Sequence, residues 1–409
     1  MPHDTIARFK RWFWRPPRAH GDTVPDRTVS FLELFYDLVY VAAVGQAADH
    51  LAEDVSMSGF AGFGVVFTLI WIAWINGTTY LELHGREDGR TRSVVFLLMG
   101  LIALLAVFTA DATGATGQAF ALVYGAFLVV MTVLWSTVLR QDVRDRPEFV
   151  PVTRRFVTGT AVSAAVILAS AFLPPEPRLI VWAGFATLWV VILVLLVGRS
   201  LVHQHLDFAP TDSLVERFGL FTIIVLGEVV FGVVNGMSEA EQDVKTISTG
   251  ILALLLGFGF WWMYFDLIGR RLPRNDGRYL ATWLVGHLPI TLSIAAAGAA
   301  MVSLIEHAHD PNTPEGTAWL LSGAVALGLV AQAVTERTLV DAERLAVVYR
   351  PLTMGLLVGA AAAIVVGWAR PAPWLLALLL VAILSALWFF AVSRFLRAGA
   401  WGEEAARAD

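Results

Sequence analysis

No cysteine occurs among the 409 residues. That absence excludes disulfides, thiolate metal sites and cysteine nucleophiles. Charge is scarce as well: Asp, Glu, Lys and Arg make up 15% of the chain, against about 25% in soluble globular proteins. There is no G-x-x-x-x-G-K-[ST] motif, which disfavours ATP-driven transport by this chain alone. Neither H-E-x-x-H nor G-x-S-x-G appears, so hydrolase readings weaken. A TVGYG-like filter is missing too, and with it support for a tetrameric potassium channel. No A-x-A-like cleavage site follows a short apolar region. A basic, polar segment of about thirty residues precedes the first apolar run instead, so the first span is expected to stay as an anchor.

What the chain has is apolar length. Hydrophobic residues form 57% of it and the mean hydropathy is +0.67. Runs long enough to cross a bilayer fall near 30–50, 60–82, 93–111, 118–139, 155–173, 178–198, 214–235, 247–268, 279–305, 317–336, 351–369 and 373–394. The 15 Trp and 25 Phe cluster near span ends, as interfacial belts do. Basic residues alternate between loops: 25 of the 29 Lys and Arg fall on one side and three (Arg178, Lys245, Arg370) on the other. By the positive-inside rule, twelve spans with both termini cytoplasmic follow.

Spans 1–6 and 7–12 look alike. Tyr80-Leu81-Glu82 closes the second span and Tyr264-Phe265-Asp266 the eighth, each after a tryptophan pair and before arginines. Glu33 and Glu216 open the first and seventh. Six is an even number, so the halves enter the membrane in the same sense, as parallel repeats. The expected fold is an all-α polytopic membrane protein of two six-helix repeats. Residues 1–28 form a basic and aromatic interfacial segment, 29–198 the first repeat, 199–213 a cytoplasmic linker, 214–395 the second repeat and 396–409 a cytoplasmic tail.

Several polar residues stand where lipid would penalise them. Glu33 and Asp37, one turn apart, share a helical face, and each carboxylate costs roughly 2.5–3.5 kcal/mol at a membrane helix centre. Arg27 or Arg217 could neutralise them. In the seventh span Arg217, Ile224, Glu228 and Asn235 fall on one face, with Glu228 about 16 Å beyond Arg217. A carboxyl at that depth needs a partner, water or a proton. The ninth span holds His287 two residues before Pro289, and histidine relays protons near neutral pH. Hydrogen-bonded packing is the alternative to a functional role for Glu228 and the plainer role for His287. Glu336 and Arg337 most simply pair with each other. The loop from Glu306 to Asp310 has metal-ligating residue types, but a solvated loop explains them, and no metal or cofactor is expected. Gly232/Gly236 and Gly355/Gly359 have GxxxG spacing, which permits close helix packing without identifying a dimer face.

Val29 to Gln46, VSFLELFYDLVYVAAVGQ, resembles the opening helix of the bacterial low temperature requirement A family. Glu216 to Glu228, ERFGLFTIIVLGE, resembles that family's second signature. The Trp-rich eighth span and His287-Leu288-Pro289 also fit, and the resemblance runs from about Arg27 to Trp388. It implies a polytopic inner-membrane protein associated with growth at low temperature, and supplies no chemical activity. Val229 follows Glu228 where the family pattern leads one to expect a small residue, often Ser.

Secondary transport, with proton coupling, leads the functional readings. Glu228 would carry the proton, His287 would relay it, and Glu33, Asp37 and Arg217 would form a cytoplasmic gate. Asn235, Glu82, Asp266, Tyr80 and Tyr264 are secondary candidates. The expected partners are membrane lipids and a small solute or ion, without nucleic acid, and a homo-oligomer is compatible with the chain. A channel or lipid scramblase, a lipid-modifying enzyme using Glu33 and Asp37, and a non-catalytic sensor are the alternatives.

Overall fold

A computed structural model describes residues 15–22, 27–86, 88–198 and 210–399, with residues 6, 8, 9, 12 and 13 of the N-terminal segment. Thirteen of the 28 residues of the expected interfacial segment, 11 of the 15 of the linker and 10 of the 14 of the tail therefore lie outside the described residues. Among the described residues twelve helices are long and apolar enough to span a membrane. They are α1 (Phe31–Glu53), α2 (Met57–His84), α3 (Gly89–Thr109), α4 (Gly117–Asp145), α5 (Val150–Ser170) and α6 (Pro175–Gly198). After them come α7 (Asp212–Glu239), α8 (Val244–Leu267), α9 (Gly277–Glu306), α10 (Glu315–Thr335), α11 (Ala346–Ala369) and α12 (Pro373–Arg397). Of the described residues 84% are helical and none lies in a strand.

The helices divide into two compact units. One comprises residues up to Ala47 with Val65–Arg217; the other comprises Ala48–Gly64 and everything from Phe218 onward. The divisions fall inside α1, α2 and α7.

In the first unit α4 and α5 form a close hairpin, while only 17% of the apolar stretch of α6 is covered by protein. An apolar helix so bare has lipid as its solvent. In the second unit α9 is the central helix, with 83% of its apolar stretch inside the protein. Its sequence explains that position: Ala295, Ala296, Ala297, Gly298, Ala299 and Ala300 are small and buried, so neighbouring helices approach closely. Gly298 of α9 faces the backbone of Val229 on α7, and Gly232 and Gly236 of α7 face Val302. Gly355 and Gly359 of α11 meet Leu387 of α12. Both GxxxG spacings thus serve packing within the chain. Pro289 lies inside α9, which continues unbroken through it.

Polar caps set the helix ends. Asp88 accepts the N–H of Thr91 (2.8 Å) at the start of α3, and Asp243 that of Thr246 (2.9 Å) at the start of α8. The Thr246 N–H and the nearby His309 ring push the Asp243 carboxyl down to about 2. The expected Glu336–Arg337 pair does not form. Arg337 is exposed, and buried Glu336 meets the hydroxyl of Thr353 on α11 instead. The 3-10 turn Glu336–Thr338 turns the two neighbouring side chains in different directions.

Candidate functional site

The first turn of α1 builds one wall of the site. Ser30-Phe31-Leu32-Glu33 is a capping box: the Glu33 N–H donates to Ser30 Oγ (3.3 Å), and Ser30 N–H donates back to Glu33 Oε2 (3.0 Å). Glu33 Oε1 is left for cations. Arg27 donates to it, and Arg217 Nη1 lies 3.7 Å away. One turn on, Asp37 is fully buried. It accepts Arg217 Nη2 at 2.7 Å and Nε at 3.3 Å, and Trp74 Nε1 at 2.9 Å. Two guanidinium nitrogens on one carboxylate make a directional pair. The ring of Tyr36 lies 5.9 Å from the Arg217 guanidinium carbon, and its hydroxyl meets that of Tyr40 at 2.7 Å. Gly77 gives the Tyr36 hydroxyl its room, because a Cβ there would overlap it.

Glu82, near the end of α2, completes the network. It accepts Arg27, the hydroxyl of Ser213 (2.8 Å) and that of Thr211 (2.9 Å). Thr211 also caps α7 by accepting the N–H of Leu214 (3.1 Å). Three carboxylates, Glu33, Asp37 and Glu82, therefore face two guanidiniums, Arg27 and Arg217. The network ties together the beginnings of α1 and α7 and the end of α2. Within it Arg217 Nη1 is buried without a hydrogen bond.

A strap before α1 closes over the end of α2. Arg18 donates Nε to the carbonyl of Leu83 (2.9 Å) and Nη2 to that of Glu82, and its N–H donates to the carbonyl of His84 (3.1 Å). Three orphan helix-end carbonyls are satisfied this way. Burial, with Arg27 nearby, pushes the Arg18 guanidinium below its ordinary value. Next to it buried His20 holds Asp142 through Nδ1 (3.0 Å), and Thr153 donates to the same carboxylate at 2.5 Å. Tyr80 packs edge-on against Trp135 in this layer.

The remaining candidates have separate surroundings. His287 is buried with both ring nitrogens engaged, Nδ1 with the carbonyl of Trp283 (2.7 Å) and Nε2 with the hydroxyl of Tyr264 (3.1 Å). A relay through it would first have to open one of these bonds. Glu228 is half-buried, in the same unit as His287, and makes no hydrogen bond or ion pair among the described residues. Asp266 accepts Trp388 Nε1 at 2.7 Å, and Asn235 is exposed. The face expected to link Arg217, Glu228 and Asn235 does not keep one environment. It passes from fully buried to half-buried to exposed along α7.

Sequence reasoning singled out Glu33, Asp37, Arg217 and Glu82, and named Arg27 only as a neutralising charge. It missed Ser213, Thr211 and Trp74 as partners, and the His20–Asp142 pair altogether. Thr211 and Ser213 lie 129 and 131 residues from Glu82, His20 lies 122 from Asp142 and Trp74 lies 37 from Asp37, so no local signal joins them.

Twelve apolar helices, with a buried charge network in the first unit, define a polytopic α-helical membrane protein. The chain belongs to the bacterial low temperature requirement A family: the model of "Bacterial low temperature requirement A protein (LtrA)" matches residues 28–389. It is also 28% identical over 312 residues to an uncharacterized protein of Rhizobium meliloti (strain 1021), covering 69% of this chain and 71% of that one. No solved structure matches.

Proposed function

We propose that this protein is a proton-coupled secondary transporter of the bacterial inner membrane, moving a small solute. In this reading it is built of two parallel six-helix repeats with both termini cytoplasmic. The observation that carries the proposal is the buried pair of Arg217 with Asp37, extended by Glu33, Arg27 and Glu82. A fully buried ion pair is a poor way to glue helices, since apolar residues of similar volume are often neutral or more stabilising. It suits a part that must open. A proton arriving on one carboxylate removes one arm of the clamp on Arg217 and loosens α7 from α1. That is a local charge change acting on a movable element. Glu228, which makes no hydrogen bond or ion pair among the described residues, is the carrier in this scheme.

The test uses the full chain in proteoliposomes under an imposed pH gradient, with a trapped pH dye and a panel of small solutes. Saturable, solute-dependent proton movement is the expected result. Ohmic current, or lipid flip without saturation, would overturn the proposal in favour of a channel or scramblase.

A further inference from the structure

Glu336 ends α10 at the turn Glu336–Thr338 and is fully buried. Its Oε1 meets Thr353 Oγ1 on α11, and its Oε2 is buried without a partner. One turn earlier on α10, Gln332 Oε1 is also buried without a donor. The charged groups nearby in sequence, Arg337 and Arg350, are exposed. Among the described residues none forms an ion pair with Glu336.

The Thr353 hydroxyl decides the bookkeeping of protons. It lies between Glu336 Oε1 and the carbonyl of Tyr349, at 3.0 Å from the latter. Both neighbours are acceptors if the carboxyl is ionised, and a hydroxyl has one proton to donate. Ionised Glu336 would then leave Oε2 a buried carboxylate oxygen with no donor. A carboxylic acid relieves the conflict at Thr353: its O–H donates to Thr353 Oγ1, whose own proton goes to Tyr349, and the oxygen left without a donor is then a neutral carbonyl, which costs less to bury than a carboxylate. The other unit contains an acid–threonine contact of the same type, Asp142 with Thr153. There His20 supplies a ring nitrogen to the carboxyl, and the competing carbonyl of Phe149 is farther, at 3.2 Å. Among the described residues no ring nitrogen reaches Glu336.

We propose that Glu336 is a proton-binding site, holding a proton in the seam between α10 and α11. Loss of that proton leaves an unpaired carboxylate inside the seam, so release is coupled to its opening. The inference rests on hydrogen-bond counting and stands apart from the transport reading.

Infrared spectroscopy of the full-length protein in nanodiscs, compared in H2O and D2O, reads the C=O band of protonated carboxyls. Glu336→Gln is expected to lose one component of that band and to keep the wild-type melting temperature, because the amide can donate to Thr353 as the acid does. Thr353→Val is expected to keep the component and shift it. An unchanged band in folded Glu336→Gln overturns the proposal. Should Glu336→Gln fail to fold, Thr353→Val decides alone: a shifted component supports the site and an unshifted band overturns it.

Discussion

Asp37 and Arg217 show how much depends on a partner. Each is fully buried, and each is acceptable in the membrane interior because the other is there. Removing one side of such a pair strands the other, at a cost of about 3–5 kcal/mol. Arg217→Met should destabilise the protein by about that much, measured by unfolding in detergent. Adding Asp37→Leu should recover most of the loss, since both charges are then gone. A double variant no more stable than Arg217→Met would mean that Glu33 or Tyr36 dominates the environment of Arg217. The sequence pointed to these two residues because a charge in an apolar span is conspicuous, and because Glu33 and Asp37 recur at helical spacing. It could not point to Ser213 or Thr211, whose hydroxyls are unremarkable until folding brings them to Glu82.

Helices were legible through a different signal. Apolar run length marks the lipid-crossing part of an element, and all twelve runs lie on helices of the structure. Helix ends were less legible. The apolar run of α4 stops near residue 139, yet the helix continues to Asp145, because backbone hydrogen bonding persists after lipid gives way to polar surroundings. Helix contacts depend on finer detail, and Gly298 is an instance. A Cβ there would sit 3.2 Å from Val229 Cγ2 and 3.3 Å from its Cα. Gly298→Leu should therefore force α7 and α9 apart. Overpacking of this kind costs about 1–3 kcal/mol or more. Thermal unfolding in detergent should show the loss, with Gly298→Ala affected less than Gly298→Leu. Equal melting temperatures for both variants and wild type would mean that the α7–α9 contact is not tight.

For the molecule as a whole, the distribution of arginine sets the expected orientation. The absence of cysteine makes that orientation easy to test, because any introduced cysteine is unique. Glu148 lies in the turn after α4 and Gln242 in the turn after α7, and both are exposed. In intact cells a membrane-impermeant thiol reagent should label Gln242→Cys and leave Glu148→Cys unlabelled until the membrane is opened. The reverse pattern would invert the molecule and place the Arg217 network near the outer face.

The transport account itself turns on whether the charge network moves or merely holds. Asp37→Asn keeps the shape of the side chain and its contact with Trp74, but removes the charge that clamps Arg217. In proteoliposomes carrying a pH gradient, that variant should be folded and should show no solute-dependent proton flux. Folded Asp37→Asn with flux equal to the wild type would contradict the account.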